Sequence, residues 1–242
     1  MDMIGGMGEI ISALFDNDAF MLQDALRNNP GIWPLGLIVT VLGGLLMYFV
    51  YRVAPPVERF LEPTAMVVSY LVMGGIIFSG VIQRFGTVPD FLVGTAIGDL
   101  LAPYFAGQPP WSTTLPPFLF LIMAWVGCSY NVKLRTHLAF AEFRNMFPRG
   151  GQFACLMLDA ALWLGFAWIV VVTATQETVR AAANFAIMLG TDNVMQWWFL
   201  ISVPLAFILL TARVFENLFR DIRVFRSGEG ELIEQAVIGG DA

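Results

Sequence analysis

The sequence predicts an all-α integral membrane protein of about five transmembrane helices with amphipathic interfacial helices between them. Three observations lead there. Pro30–Tyr51, Pro63–Gln83, Leu115–Val132 and Asn193–Ala212 contain no charged side chain, and Gln152–Thr175 contains only Asp159. Each stretch is about 18–24 residues, the length of helix that crosses a hydrocarbon layer of ~30 Å. The thirteen basic residues sort by side. Arg52, Arg59, Lys133, Arg135, Arg144, Arg149, Arg213, Arg220, Arg223 and Arg226 fall on one side, and only Arg27, Arg84 and Arg180 on the other. Cytoplasmic loops attract Lys and Arg, so a multi-pass protein is expected with its N-terminus outside and its C-terminus inside.

Composition agrees. Of 242 residues, 57% are hydrophobic and 13% charged, against about 25% charged in a soluble domain. Mean hydropathy is +0.71. A net charge of −6 argues against a nucleic-acid partner, which attracts positive charge. The chain opens with Asp2 and Glu9 and reaches its first long apolar run near Ile32, unlike a cleavable signal peptide. Cys128 and Cys155 lack C-x-x-C spacing and read as reduced packing residues.

In chain order, residues 1–30 read as an amphipathic segment outside the membrane, with Ile10, Ile11, Leu14, Met21, Leu22 and Leu26 as its apolar side. Residues 31–53 form a first span. Residues 54–212 form a four-helix core with spans at about 63–83, 115–134, 152–175 and 194–212. Within the core, residues 89–105 predict an interfacial helix opened by Pro89. Its apolar positions Val93, Ile97, Leu100, Leu101 and Tyr104 repeat helically, with Asp90 and Asp99 toward water. Residues 137–148 carry a stripe of Phe140, Phe143 and Phe147, and residues 213–242 carry Phe215, Leu218, Ile222 and Phe225 beside arginines. Such basic amphipathic helices lie in the headgroup layer among lipids, unless they pack on the protein's own helices. No internal repeat of the kind that builds inverted-repeat transporters is visible.

Reactive chemistry is scarce. One histidine, His137, excludes a bis-histidine haem within the chain, and no phosphate loop, nucleophile elbow or H-E-x-x-H motif occurs. No enzymatic activity and no cofactor in this chain are expected, and an anchor for a redox complex is disfavoured. His137 reads as an interfacial ring more readily than as a pH-sensitive contact. Asp159, the one acid inside a span, is expected to pair with Lys133, Arg135 or His137. The sharper alternative, an ion-coupling carboxylate, needs further acids, and none converge by spacing. Gly36, Thr40 and Gly44 in the first span and Gly75 and Ser79 in the second form small-residue rows, which let helices approach closely in lipid.

The stretch Ser79–Gly150 resembles the small membrane subunit of tripartite ATP-independent periplasmic (TRAP) transporters, the DctQ-like family. The carrying residues are Gly80-Val81-Ile82-Gln83-Arg84-Phe85, then Trp111-Ser112 opening a span that holds Gly127 and runs into Arg135-Thr136-His137, then Phe147-Pro148. Trp197–Arg223 resembles the family's last helix in pattern. Thr113 and Thr114 stand where the family usually has an acid, the first span is additional, and Asp90–Tyr104 looks inserted. The resemblance implies a scaffold in a bacterial inner membrane that braces a large elevator-type subunit. That partner carries the Na+ sites, and a periplasmic substrate-binding protein delivers a small organic anion, a carboxylate or sulfonate. Arg84 and Trp111 outside, and Arg135 and His137 inside, are then the candidate partner contacts. The alternative is a self-sufficient homo-oligomeric channel or transporter lined by Asp159.

Overall fold

A computed structural model describes residues 3–16, 18–105, 107–135 and 147–228. Its helices are α1 (Met3–Phe15), α2 (Ala19–Leu26), α3 (Ile32–Val53), α4 (Pro55–Phe85), α5 (Ala96–Leu101), α6 (Trp111–Leu134), α7 (Arg149–Ala183), α8 (Trp197–Leu200) and α9 (Ser202–Ser227). Among the described residues, five spans are long and apolar enough to cross a membrane: α3, α4, α6, α7, and α8 with α9. The chain is therefore an all-α membrane protein.

The membrane helices do not stop where their charges begin. α4 starts at Pro55, because Pro55 and Pro56 occupy its first turn, where a missing N–H is harmless. Pro63 sits inside it, so Glu58 and Glu62 join the helix instead of preceding it. α7 continues past the apolar stretch to Ala183. The last span is displaced toward the C-terminus: a short turn at Trp197–Leu200 precedes α9, which runs unbroken to Ser227. The boundary expected at residue 213 is thus the middle of one helix.

α9 is the hub. Over half of its most apolar window is buried, against 11–22% for each of the other spans. It touches α3, α6 and α7, while α4 leans chiefly on α6. Phe207, Leu210 and Val214 form the core with Val132, Ala160, Ala167 and Val171. Contacts fix the directions. Phe118–Phe199 and Trp125–Phe207 run α6 and α9 in parallel, and Phe153–Phe225 with Phe166–Phe207 run α7 antiparallel to α9. α3 lies parallel to α9 through Gly43 on Ile208, Gly44 on Thr211 and Tyr48 on Phe219. The row Gly36–Thr40–Gly44 lets α3 approach both α7 and α9: a Cβ at Gly36 would lie 2.2 Å from Val172 of α7, and one at Gly44 2.4 Å from Thr211 of α9.

The amphipathic segments pack in part on the protein itself. The first 30 residues form two helices, with Asp18 capping α2 by accepting from the Phe20 amide. Ile10, Ala13, Ala25 and Leu26 pack on Ile32 and Val172, so one side of this segment covers the protein itself. Buried Asn29 ties α1 to α3 by donating to the Gly6 carbonyl and accepting from the Gly31 amide. Residues 89–105 are not one helix. A 3-10 turn at Asp90–Leu92 ends at Gly94, whose φ is +79°, and Thr95 then caps α5. Val93, Ile97, Leu100 and Tyr104 are exposed. Most of the predicted 137–148 segment, with His137, lies outside the described residues.

Candidate functional site

Four helices bring charge to one place at the Arg-rich end of the bundle. Glu58 and Glu62, one turn apart on α4, face Ser129 and Lys133, one turn apart on α6. α9 contributes Arg213 and Glu216, and α3 contributes Tyr51. Arg213 and Glu62 are both fully buried and paired at 2.9 Å. The guanidinium forks onto Glu62 through Nε, at 3.2 Å from each carboxylate oxygen, and through Nη2. Nη1 donates to Glu58 at 3.2 Å and to Glu216 at 2.8 Å. Tyr51 lies beneath, its ring centroid 4.1 Å from the guanidinium carbon, a desolvated cation–π contact. Its hydroxyl donates to Glu62 at 3.3 Å, as the Ser129 hydroxyl does at 2.8 Å. Lys133 closes the cluster on Glu58 at 2.8 Å.

Such a cluster is tolerable in a membrane helix because every charge has an opposite partner, the buried Arg213 and Glu62 are multiply hydrogen-bonded, and Glu58, Lys133 and Glu216 stay partly exposed. It acts as a clamp, since no one of α3, α4, α6 and α9 can slide without uncovering a buried charge. Its acids, Glu58, Glu62 and Glu216, come from two helices and do not include Asp159. Sequence spacing shows only the local part: Glu58 and Glu62 at i and i+4, Arg213 and Glu216 at i and i+3.

A second, smaller pair lies nearby. Arg135 ends α6 in the left-handed region, φ 56°, and its side chain pairs with nearly buried Asp221. Asn217 donates to the Val132 carbonyl at 2.9 Å. Asp159 shares a cavity of about 20 Å³ with Arg135, Asp221, Trp163 and Asn217, room for about one water. Of the three expected partners of Asp159, Lys133 pairs with Glu58, Arg135 pairs with Asp221 in this same cavity, and His137 lies outside the described residues.

Arg84 and Trp111 stand at the opposite end of the antiparallel α4–α6 pair. Gly80 seats on Ser112, where a Cβ would lie 2.8 Å from the hydroxyl. Ser79 meets the Tyr104 hydroxyl at 2.9 Å, and Gln83 donates to Ser79 at 3.2 Å. Hydrogen bonding from Ser79 and Gln83 holds the Tyr104 phenol below its usual range. Arg84 is exposed over Phe85, and Trp111 is half-buried. Gly75 has open space where a side chain would go, as has Gly74. The candidate contacts therefore divide between the two ends and form no single site.

Residues 91–224 match the family described as tripartite ATP-independent periplasmic transporters, DctQ component, which is more than half of the chain. The chain belongs to the DctQ family. It is similar to the sialic acid TRAP transporter small permease protein SiaQ of Vibrio cholerae, 26% identical over 130 residues that cover 52% of this chain and 73% of the relative. No solved structure matches. As a DctQ member the chain is a subunit of a TRAP transporter, a family whose small permeases work with a large membrane subunit and a binding protein. The DctQ match includes Trp111 and Arg135 and begins after Arg84 and α3. Arg213, Lys133 and Ser129 lie inside it, and Tyr51, Glu58 and Glu62 before it, so the buried clamp fastens the matched DctQ part to the helices that precede it.

Proposed function

We propose that this chain is the scaffold subunit of a sodium-coupled, binding-protein-dependent transporter in a bacterial inner membrane. It braces a large elevator-type subunit that holds the Na+ sites and imports a small organic anion, a carboxylate or sulfonate. The relative named for sialic acid supports a carboxylate. The N-terminus is periplasmic and the C-terminus cytoplasmic, in keeping with the sorting of arginines. The subunit performs no catalysis and binds no cofactor of its own.

The observation that carries this reading is the clamp: Arg213, Glu62, Glu58 and Lys133, with Tyr51, hold four helices in one arrangement, which suits a part that stays still while another moves. The bracing surface is the outer face of α4, where Val67, Leu71 and Phe78 are exposed beside open Gly74 and Gly75. Small residues there admit a helix of the large subunit at close range. Arg84 and Trp111 flank that face on the periplasmic side, within reach of the binding protein. His137 serves the cytoplasmic side, where Arg135 acts through its pair with Asp221.

Reconstitution tests it. This chain is co-expressed with its neighbouring genes and placed in liposomes with the binding protein and an inward Na+ gradient. Uptake is expected only when the large subunit is present. Flux through liposomes holding this chain alone, abolished by Asp159→Asn, would establish the self-sufficient channel instead.

A further inference from the structure

Above the clamp, where α3 ends beside α9, a pocket of about 270 Å³ opens at the Arg-rich end of the bundle. Arg52 of α3 and Arg220 and Arg223 of α9 line its walls. Tyr48 and Phe219, 5.3 Å apart, stand between it and an adjoining cavity that adds Arg226. Glu58 and Glu216 also line the pocket, but both are engaged by the cations beneath them, Lys133 and Arg213. Among the described residues, Arg52, Arg220 and Arg223 make no ion pair. Arg52 donates only to the Tyr48 hydroxyl and Arg220 to Asn217.

We propose that this pocket binds the phosphate headgroup of an anionic phospholipid, with its acyl chains lying along α3. Guanidinium forks match phosphate oxygens in charge and geometry, and basic pockets between helices at the cytoplasmic surface select anionic headgroups. A lipid is favoured over free phosphate because Phe49 and Val53, which flank the pocket-lining Arg52 on α3, are each more than 60% exposed, where acyl chains would rest. The arginines come from two helices, so the bound lipid pins α3 to α9. The pocket is separate from the α4 face assigned to the large subunit.

The full chain, purified in mild detergent, is tested by native mass spectrometry with phosphatidylglycerol, phosphatidylcholine or inorganic phosphate. Phosphatidylglycerol is expected to stay bound and phosphatidylcholine to be lost. Arg52→Gln with Arg223→Gln should weaken retention about tenfold or more, while Arg180→Gln at the opposite end leaves it unchanged. A photoactivatable phosphatidylglycerol on the unaltered chain should crosslink within residues 46–53 and 219–226, which serves if the double variant fails to fold. Equal retention of both lipids, crosslinks spread evenly over the apolar surface, or binding of inorganic phosphate that phosphatidylglycerol does not displace would each overturn the assignment.

Discussion

A guanidinium placed inside a helix bundle loses its water and must recover that loss from its neighbours. Arg213 recovers it from three carboxylates and an aromatic face. Arg213→Leu strands fully buried Glu62 and is expected to cost about 3–5 kcal/mol, whereas Glu62→Leu leaves Arg213 paired with Glu58 and Glu216 and should cost less. Glu62→Leu combined with Arg213→Met removes both charges together and should recover much of the Arg213→Leu loss. Thermal unfolding in detergent reads the comparison, and a double variant no better than Arg213→Leu would refute mutual compensation. Tyr51 separates two contributions. Tyr51→Phe keeps the ring beneath Arg213 and loses only a 3.3 Å hydrogen bond, whereas Tyr51→Leu also loses the cation–π contact, worth up to about 2 kcal/mol when desolvated. Of this clamp only the spacings within one helix, Glu58 to Glu62 and Arg213 to Glu216, were legible in the sequence. Glu58, Glu62, Lys133 and Arg213 each stand at the edge of an apolar stretch, where a charge normally reaches headgroups, and only the packing of α4, α6 and α9 turns them inward.

At the scale of elements, burial divides the spans into a hub and a rim. The phenylalanine and leucine stripe of α9 was legible, but its neighbour was not: Phe215 and Leu218 pack on the bundle, so the helix that reads as lying on the membrane continues through it. Periodicity reports that one face is apolar and cannot report whether lipid or another helix covers it. The glycine rows show the same limit. Gly44→Leu has no room against Thr211 and Phe215, so it should separate α3 from α9 and lower the unfolding temperature. Gly75→Leu enters open space and should leave the isolated chain as stable as before. If α4 carries the large subunit, that same variant should reduce co-purification of the partner. Retained co-purification with Gly75→Leu would move the bracing surface elsewhere.

For the whole molecule, the five spans were legible because lipid imposes length and apolarity on anything that crosses it, and charge marks the turns. The helix order then demands that Gly150 and Ser227 share one membrane face, while Thr95 and Leu189 share the other, since α4, α6, α7 and α9 alternate in direction. Single cysteines at these exposed positions, in a chain whose Cys128 and Cys155 are replaced by alanine, report the arrangement through a membrane-impermeant maleimide. In intact spheroplasts, Thr95→Cys and Leu189→Cys are expected to react, and Gly150→Cys and Ser227→Cys only after the membrane is opened. The reverse pattern would invert the orientation drawn from the ten arginines and lysines, yet keep the bundle. Gly150→Cys and Ser227→Cys reacting from opposite sides would break the antiparallel pairing of α7 with α9, because Phe153 meets Phe225 and Phe166 meets Phe207 only when the start of α7 and the end of α9 lie at one surface.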